Sequence, residues 1–185
     1  MRILTVNLKR HLTALAPLVL LCGPVASEPA SSEQLSQLQK AEGAEAARIA
    51  KEIEIVWSRS GSASMDLLLT RGREAMAAED FALAIDHLTA LTDHAPDFAE
   101  GFHARAEAFF RAGLYGPALD DLETALALDP THFDAIFGLA VMFQEFGDLR
   151  RAEQLYREVL ALHPTHENAT QALERMKRDG IGREL

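Results

Sequence analysis

Cysteine is almost missing from this chain. Among 185 residues there is one, Cys22, and one tryptophan, Trp57, while aromatic residues of all kinds make up 6%. A lone cysteine cannot close a disulfide within the chain or build a multi-thiolate metal centre. Positive charge is also scarce, with 18 Lys and Arg against 28 Asp and Glu. Residues 1–27 contain Arg2, Lys9 and Arg10 but no acid, so removing their +3 from the total of −10 leaves −13 for residues 28–185. An acidic body with no Lys/Arg stripe is a poor match for a phosphate backbone, so no nucleic-acid partner is expected. Nor is there a long apolar run. Leu12 to Cys22 is well short of the roughly 20 residues that a membrane-spanning helix needs.

That short run has another reading. A basic start from Arg2 to Arg10, the apolar stretch and the small residues Val25-Ala26-Ser27 follow the order of an export signal, with cleavage expected after Ala26 or Ser27. Residues 1–27 are therefore predicted to be a signal peptide and the mature protein periplasmic, free of cysteine once cleaved. Leu-Val-Leu-Leu-Cys, ending at Cys22, loosely resembles a bacterial lipoprotein site, but Leu21 stands where that pattern demands a small residue. Membrane contact is thus expected only if the signal is uncleaved or Cys22 is lipidated.

Signs of catalysis are missing too. Ser58, Ser60, Ser62 and Ser64 lie in a turn segment with no strand-to-helix elbow to activate a serine. Asp120 and Asp121 read as solvated charge on a helix surface. His163 and His166 flank Pro164 at a turn, with Glu167 adjacent and His132 one repeat earlier, and all read as solvated turn residues rather than converging zinc ligands. No enzymatic activity, cofactor or metal is expected; a metalloprotein or a hydrolase is the least favoured reading.

What is present is a repeat. Pro96, Pro130 and Pro164 stand 34 residues apart, and Ala84, Ala118 and Ala152 keep the same step. That period suits a two-helix solenoid unit. In each copy a first helix carries a large residue (Leu68, Phe102, Ile136), a small one four later (Gly72, Ala106, Ala140) and a third after three more (Ala75, Phe109, Phe143), all on one face. Turns follow at Glu79-Asp80, Gly113-Leu114 and Gly147-Asp148. A second helix with Ala84, Ala118 or Ala152 then runs to the proline, which ends it. Asp97 with Glu100, and Thr131 with Asp134, read as caps for the helices that follow, and Ser64 as the cap of the first repeat.

These columns resemble the tetratricopeptide repeat over residues 65–166. Arg71 and Arg105 depart from it where the family favours leucine, Glu79 replaces the turn glycine, and Thr92 and His94 dilute the first copy. The resemblance implies an all-α, right-handed helical-repeat solenoid. Its divisions are a leader and N-terminal helix pair over 28–64, repeats over 65–98, 99–132 and 133–166, and a capping helix and tail over 167–185. In the N-terminal pair, Ile49, Ile53, Val56 and Trp57 form one apolar stripe, and Trp57 is expected to pack the pair against the first repeat. Residues Trp57 to Ser62 and Asp66 to Gly72 also resemble small exported alphaproteobacterial repeat proteins, a likeness that bears on location more than on activity.

The same resemblance points Leu69, Arg73, Met76, His103, Glu107, Phe110, Arg111, Phe137, Val141, Gln144 and Glu145 into the concave groove. It implies a non-catalytic interaction module that binds a protein or peptide segment there. The alternative is a chaperone-like holder of an exported client, as repeat domains in cytochrome c maturation are. His103, Glu107 and Val141 stand on the faces where the family's carboxylate clamp places Lys, Asn and Arg, so the expected ligand has apolar anchors and some positive charge.

Overall fold

The computed structural model describes residues 32–178 and residue 180. The signal peptide with Cys22, leader residues 28–31 and the tail residues 183–185 lie outside the described residues. Among those described there are nine helices and no strand: α1 (Ser32–Leu38), α2 (Gly43–Trp57), α3 (Ala63–Ala77), α4 (Phe81–His94), α5 (Ala99–Arg111), α6 (Tyr115–Leu128), α7 (Phe133–Glu145), α8 (Leu149–Leu162) and α9 (Glu167–Arg178). Helices α3/α4, α5/α6 and α7/α8 pair as hairpins, successive hairpins stack, and α9 closes the series against α8. The protein is an all-α, helix-hairpin solenoid.

The hairpins follow from their small residues. Ala84, Ala118 and Ala152 are fully buried where the second helix meets the first. Gly72 is tighter still, since a Cβ there would come within 2.5 Å of the Leu88 Cγ. Each first helix ends in a Schellman-type closure, where the N–H groups of Asp80, Leu114 and Asp148 donate to Ala75, Phe109 and Phe143 carbonyls at 2.8–3.0 Å. That closure needs a left-handed residue. Gly113 (φ +75°) and Gly147 (φ +80°) supply it, and Glu79 (φ 59°) must do so with a side chain.

Other expected details differ. Helix α3 begins at Ala63 behind Ser62, so Ser64 lies inside it and caps nothing. The cap positions before α5 and α7 are Phe98 and His132. Thr131 bonds to Asp129 instead, and Glu100 has other partners. Asp121 is no solvated acid. It is 5% exposed and takes both prongs of the Arg105 fork, Nε to Oδ2 at 2.7 Å and Nη2 to Oδ1 at 2.8 Å. The remaining Arg105 nitrogen donates to the buried Thr92 hydroxyl at 2.6 Å. Two departures from the repeat pattern, Arg105 and Thr92, thus satisfy each other across the first and second repeats.

The largest revision concerns the N-terminal pair. It does not stack on the first repeat. Leu35, Leu38, Ile49, Ile53 and Trp57 share one core with Phe133, Ile136, Tyr156, Val159 and the α9 residues Ala169, Leu173 and Met176. The Trp57 ring lies flat on His132, with centroids 3.9 Å apart, and tilts against Phe133 at 4.7 Å. The Gln39 amide donates to the Ala161 carbonyl at 3.1 Å. The pair therefore folds back along the rim where α7 and α9 begin. The reason lies in the shape of the stripe, because an indole needs a flat aromatic neighbour and a deep apolar seat, and the third repeat offers His132 and Phe133.

Replacing Glu79 by glycine should stabilise the protein by about 1 kcal/mol in chemical denaturation, since only the left-handed cost is relieved. Asp121→Ala should cost about 3–5 kcal/mol, because it leaves the Arg105 charge buried without its partner.

Candidate functional site

The concave face is built by α3, α5 and α7, and two depressions lie on it. The larger, about 720 Å³, opens between α2 and the inner sides of α3 and α5, lined among others by Lys51, Trp57, Arg73, His103 and Arg111. The smaller, about 360 Å³, lies between α5 and α7 over Phe110, Phe137, Gly138, Val141 and Met142. His103, Glu107, Arg111 and Asp134 border both.

Of the residues assigned inward by sequence, Arg73, Met76, His103 and Glu107 line the larger depression, and His103, Glu107, Phe110, Phe137 and Val141 line the smaller. Two fall elsewhere. Leu69 is 2% exposed and packs in the core with Ala75 and Leu88. Gln144 lines neither depression and accepts a hydrogen bond from the Tyr156 hydroxyl at 2.9 Å.

Sequence reasoning missed the centre of this face. Glu100, near the start of α5, is 5% exposed, and its carboxylate gathers three donors. Arg73 holds Oε1. On Oε2, His132 Nε2 donates at 2.8 Å and His103 Nδ1 at 3.1 Å. Arg73 also donates to Ser58 Oγ at 3.0 Å, which ties the end of α2 to the cluster. His132, expected to be solvated, is fully buried. Its Nδ1 accepts the Ala135 N–H at 3.3 Å, so the ring proton sits on Nε2, where it is given to Glu100.

Charge follows geometry. Burial works against ionisation of Glu100, but the His103 charge and the hydrogen bonds from both histidines outweigh it and hold the carboxyl well below 4.5. Burial likewise works against His103, yet Glu100, Asp134 and Glu107 around it push it up to about 9. His103 therefore carries its proton at neutral pH.

The arrangement recurs one repeat on. Asp134 occupies the Glu100 column, and His166 the His132 column. Here too the Nδ1 of the histidine takes a backbone N–H, that of Ala169, at 3.1 Å. Its Nε2 faces the Asp134 carboxylate at 3.9 Å, too long for a hydrogen bond. His163, also expected in solvent, is half-buried with its Nδ1 unpartnered and its ring 5.0 Å from Phe133.

Glu100, His103 and His132 do bring three ligand atoms within 4.8 Å of one another. A metal would need a lone pair on each histidine nitrogen and an available carboxylate. Here His132 Nε2 holds its proton because Nδ1 is engaged, His103 is protonated, and a guanidinium sits on the carboxylate. The donor set suits a hydrogen-bonded charge network and does not fit a metal. The His163/His166 pair, weighed as ligands from the sequence, is not where ligand atoms converge among the described residues.

Two family models, each described as the tetratricopeptide repeat, match residues 69–121 and 109–176. The chain is a tetratricopeptide-repeat protein. It is 31% identical over 124 residues to a TPR repeat-containing protein of Rhizobium etli, covering 67% of this chain and 61% of that one. It is 28% identical over 128 residues to the heat-shock protein cognate co-chaperone sgt12 of Aspergillus fumigatus, covering 68% of this chain and 38% of the relative. The Sgt2 TPR domain of Aspergillus fumigatus superposes with a TM-score of 0.60 at 26% identity, over 64% of this chain and 80% of that domain. The chain thus spans less than two thirds of either sequence relative. Its fold is that of tetratricopeptide-repeat domains, and a co-chaperone is among its relatives.

The raised His103 stabilises the folded tetratricopeptide protein fully below pH 6.5, and that contribution is lost as pH rises from 6.5 through about 9. The lowered Glu100 contributes above pH 4.5 and fades as pH falls towards its depressed value. Denaturation midpoints should therefore plateau between pH 4.5 and 6.5 and decline towards pH 9, and His103→Gln should flatten the alkaline decline.

Proposed function

We propose that this protein is a non-catalytic holder of a client protein segment, working in the manner of a co-chaperone on the concave face of its second and third repeats. The observation that carries the reading is the depression over Phe110, Phe137, Val141 and Met142, an apolar seat bordered by His103, Glu107, Arg111 and Asp134. A seat of about 360 Å³ takes one or two large apolar side chains. The charged border then selects what flanks them. Backbone and side-chain anchors on a rigid helical face are how repeat solenoids hold extended or helical segments. The co-chaperone relative favours a holder over a passive adaptor.

The export signal read over residues 1–27 supports a periplasmic site for this work. Among the described residues no helix is long and apolar enough to cross a membrane.

A chemically unfolded client, diluted to aggregate, should scatter less light in the presence of the protein. Phe110→Ala with Phe137→Ala should abolish most of that protection while leaving far-UV circular dichroism unchanged. No protection by the parent chain, or equal protection by the double variant, would sink the reading. For location, alkaline phosphatase fused behind residue 31 should be active in cells, and inactive once Leu18 and Leu20 are both made Arg.

A further inference from the structure

We infer that the rim of the third repeat and cap is a helix-binding surface, that residues 32–57 occupy it in the free protein, and that an amphipathic helix of the client takes their place. The inference rests on the holder reading above and names what is held.

The occupant shows what the surface takes. Helix α2 presents Ala46, Ile49, Ala50, Ile53 and Trp57 to the core, so its largest apolar groups recur every four residues and end in an indole. That is the pattern of a helix laid in a groove. Its outer face is self-sufficient, with Arg48 paired to Glu52 at 2.5 Å and Lys51 to Glu54 at 2.9 Å along the same helix.

Attachment differs from that of the repeats. The hairpin helices pack closely backbone against backbone, whereas α2 meets them mainly through side chains. Among the described residues its polar ties to the repeats include Gln39 to the Ala161 carbonyl and Arg73 to Ser58 Oγ. The Trp57 Nε1 is buried with no acceptor, which weakens the docked state because water would have satisfied it. A client helix that offered an acceptor to its own indole, or a phenyl ring with no N–H, would escape that penalty. The family match begins at residue 69, so α2 lies outside the repeats it covers. The connecting turn contains Gly61 at φ +80°. Departure of α2 would also unroof the 720 Å³ depression, whose outer wall it forms with Lys51, Ile55 and Trp57.

The test uses the full chain carrying Trp57→Ala, which has no tryptophan left, and a synthetic peptide of residues 43–58 labelled with fluorescein. Anisotropy should show saturable binding of the peptide to the variant and at least tenfold weaker binding to the parent chain, whose surface is filled. The same peptide with Trp57→Ala should bind neither. Equal binding to both chains would overturn the inference, and so would no binding to a variant that still melts cooperatively. Hydrogen exchange on the parent chain supplies an arm that needs no variant. Amides of α2 should exchange at least tenfold faster than those of α5 to α8, and equal protection would overturn the inference even if Trp57→Ala failed to fold. Peptide binding without protection of an unfolded client would keep the surface and remove the holder function. Protection without peptide binding would do the reverse.

Discussion

The carboxylate of Glu100 is the group on which this architecture turns. It is buried at the junction of three parts of the chain, and a buried charge persists only when its partners are in place. Those partners come from α3 (Arg73), from α5 itself (His103) and from the start of α7 (His132). Arg73 then reaches the end of α2, and His132 is the surface on which Trp57 lies. One ionised oxygen pair therefore fixes the relative placement of three repeats and decides where the N-terminal pair can dock. Hydrophobic burial supplies most of the stability, but burial is not directional, and the register of α2 against the third repeat is set by this network.

Much of the fold was legible because a solenoid repeats its constraints. Proline at Pro96, Pro130 and Pro164, and alanine at Ala84, Ala118 and Ala152, report backbone requirements that local sequence alone imposes. The direction in which α2 folds was not legible. Its amphipathic stripe says that one face is covered, and nothing in a stripe says by what. The expectation that Trp57 would pack the pair against the nearest repeat gave that ring the wrong partner, because His132 and Phe133 match its flat face better than the small α3 residues Gly72 and Ala75 do.

The missed side-chain network carried a signal of a different kind. Departures from the repeat pattern were read singly, as dilution. Read in pairs, they describe contacts. The third repeat places Leu139 and Leu155 where the second places Arg105 and Asp121, so one apolar contact has been exchanged for a bidentate ion pair. Likewise, acids at Glu100 and Asp134 and histidines at His132 and His166 keep the 34-residue step. A periodic polar residue in a solenoid faces the same neighbour in each copy, so periodic acid and periodic base point to a ladder between repeats. His132 looked solvated because it follows Pro130 in a turn, yet its Nδ1 caps α7, and capping draws the ring inward.

The two depressions on the concave face differ in character while sharing a border. Beside α2 the lining is charged, with Arg73 and His103 bound to Glu100 and with Arg111 lying over the Phe81 ring. Between α5 and α7 it is largely apolar. A segment lying along the face crosses from one to the other at His103, Glu107, Arg111 and Asp134, two cations against two anions, so net charge contributes little to its retention. Orientation is what the arrangement can select. A segment whose apolar anchors sit at one end and whose polar groups sit at the other fits in one direction and, reversed, buries charge over Phe110 and Phe137. The cost of that mismatch gives directional specificity without a tight clamp on any single group.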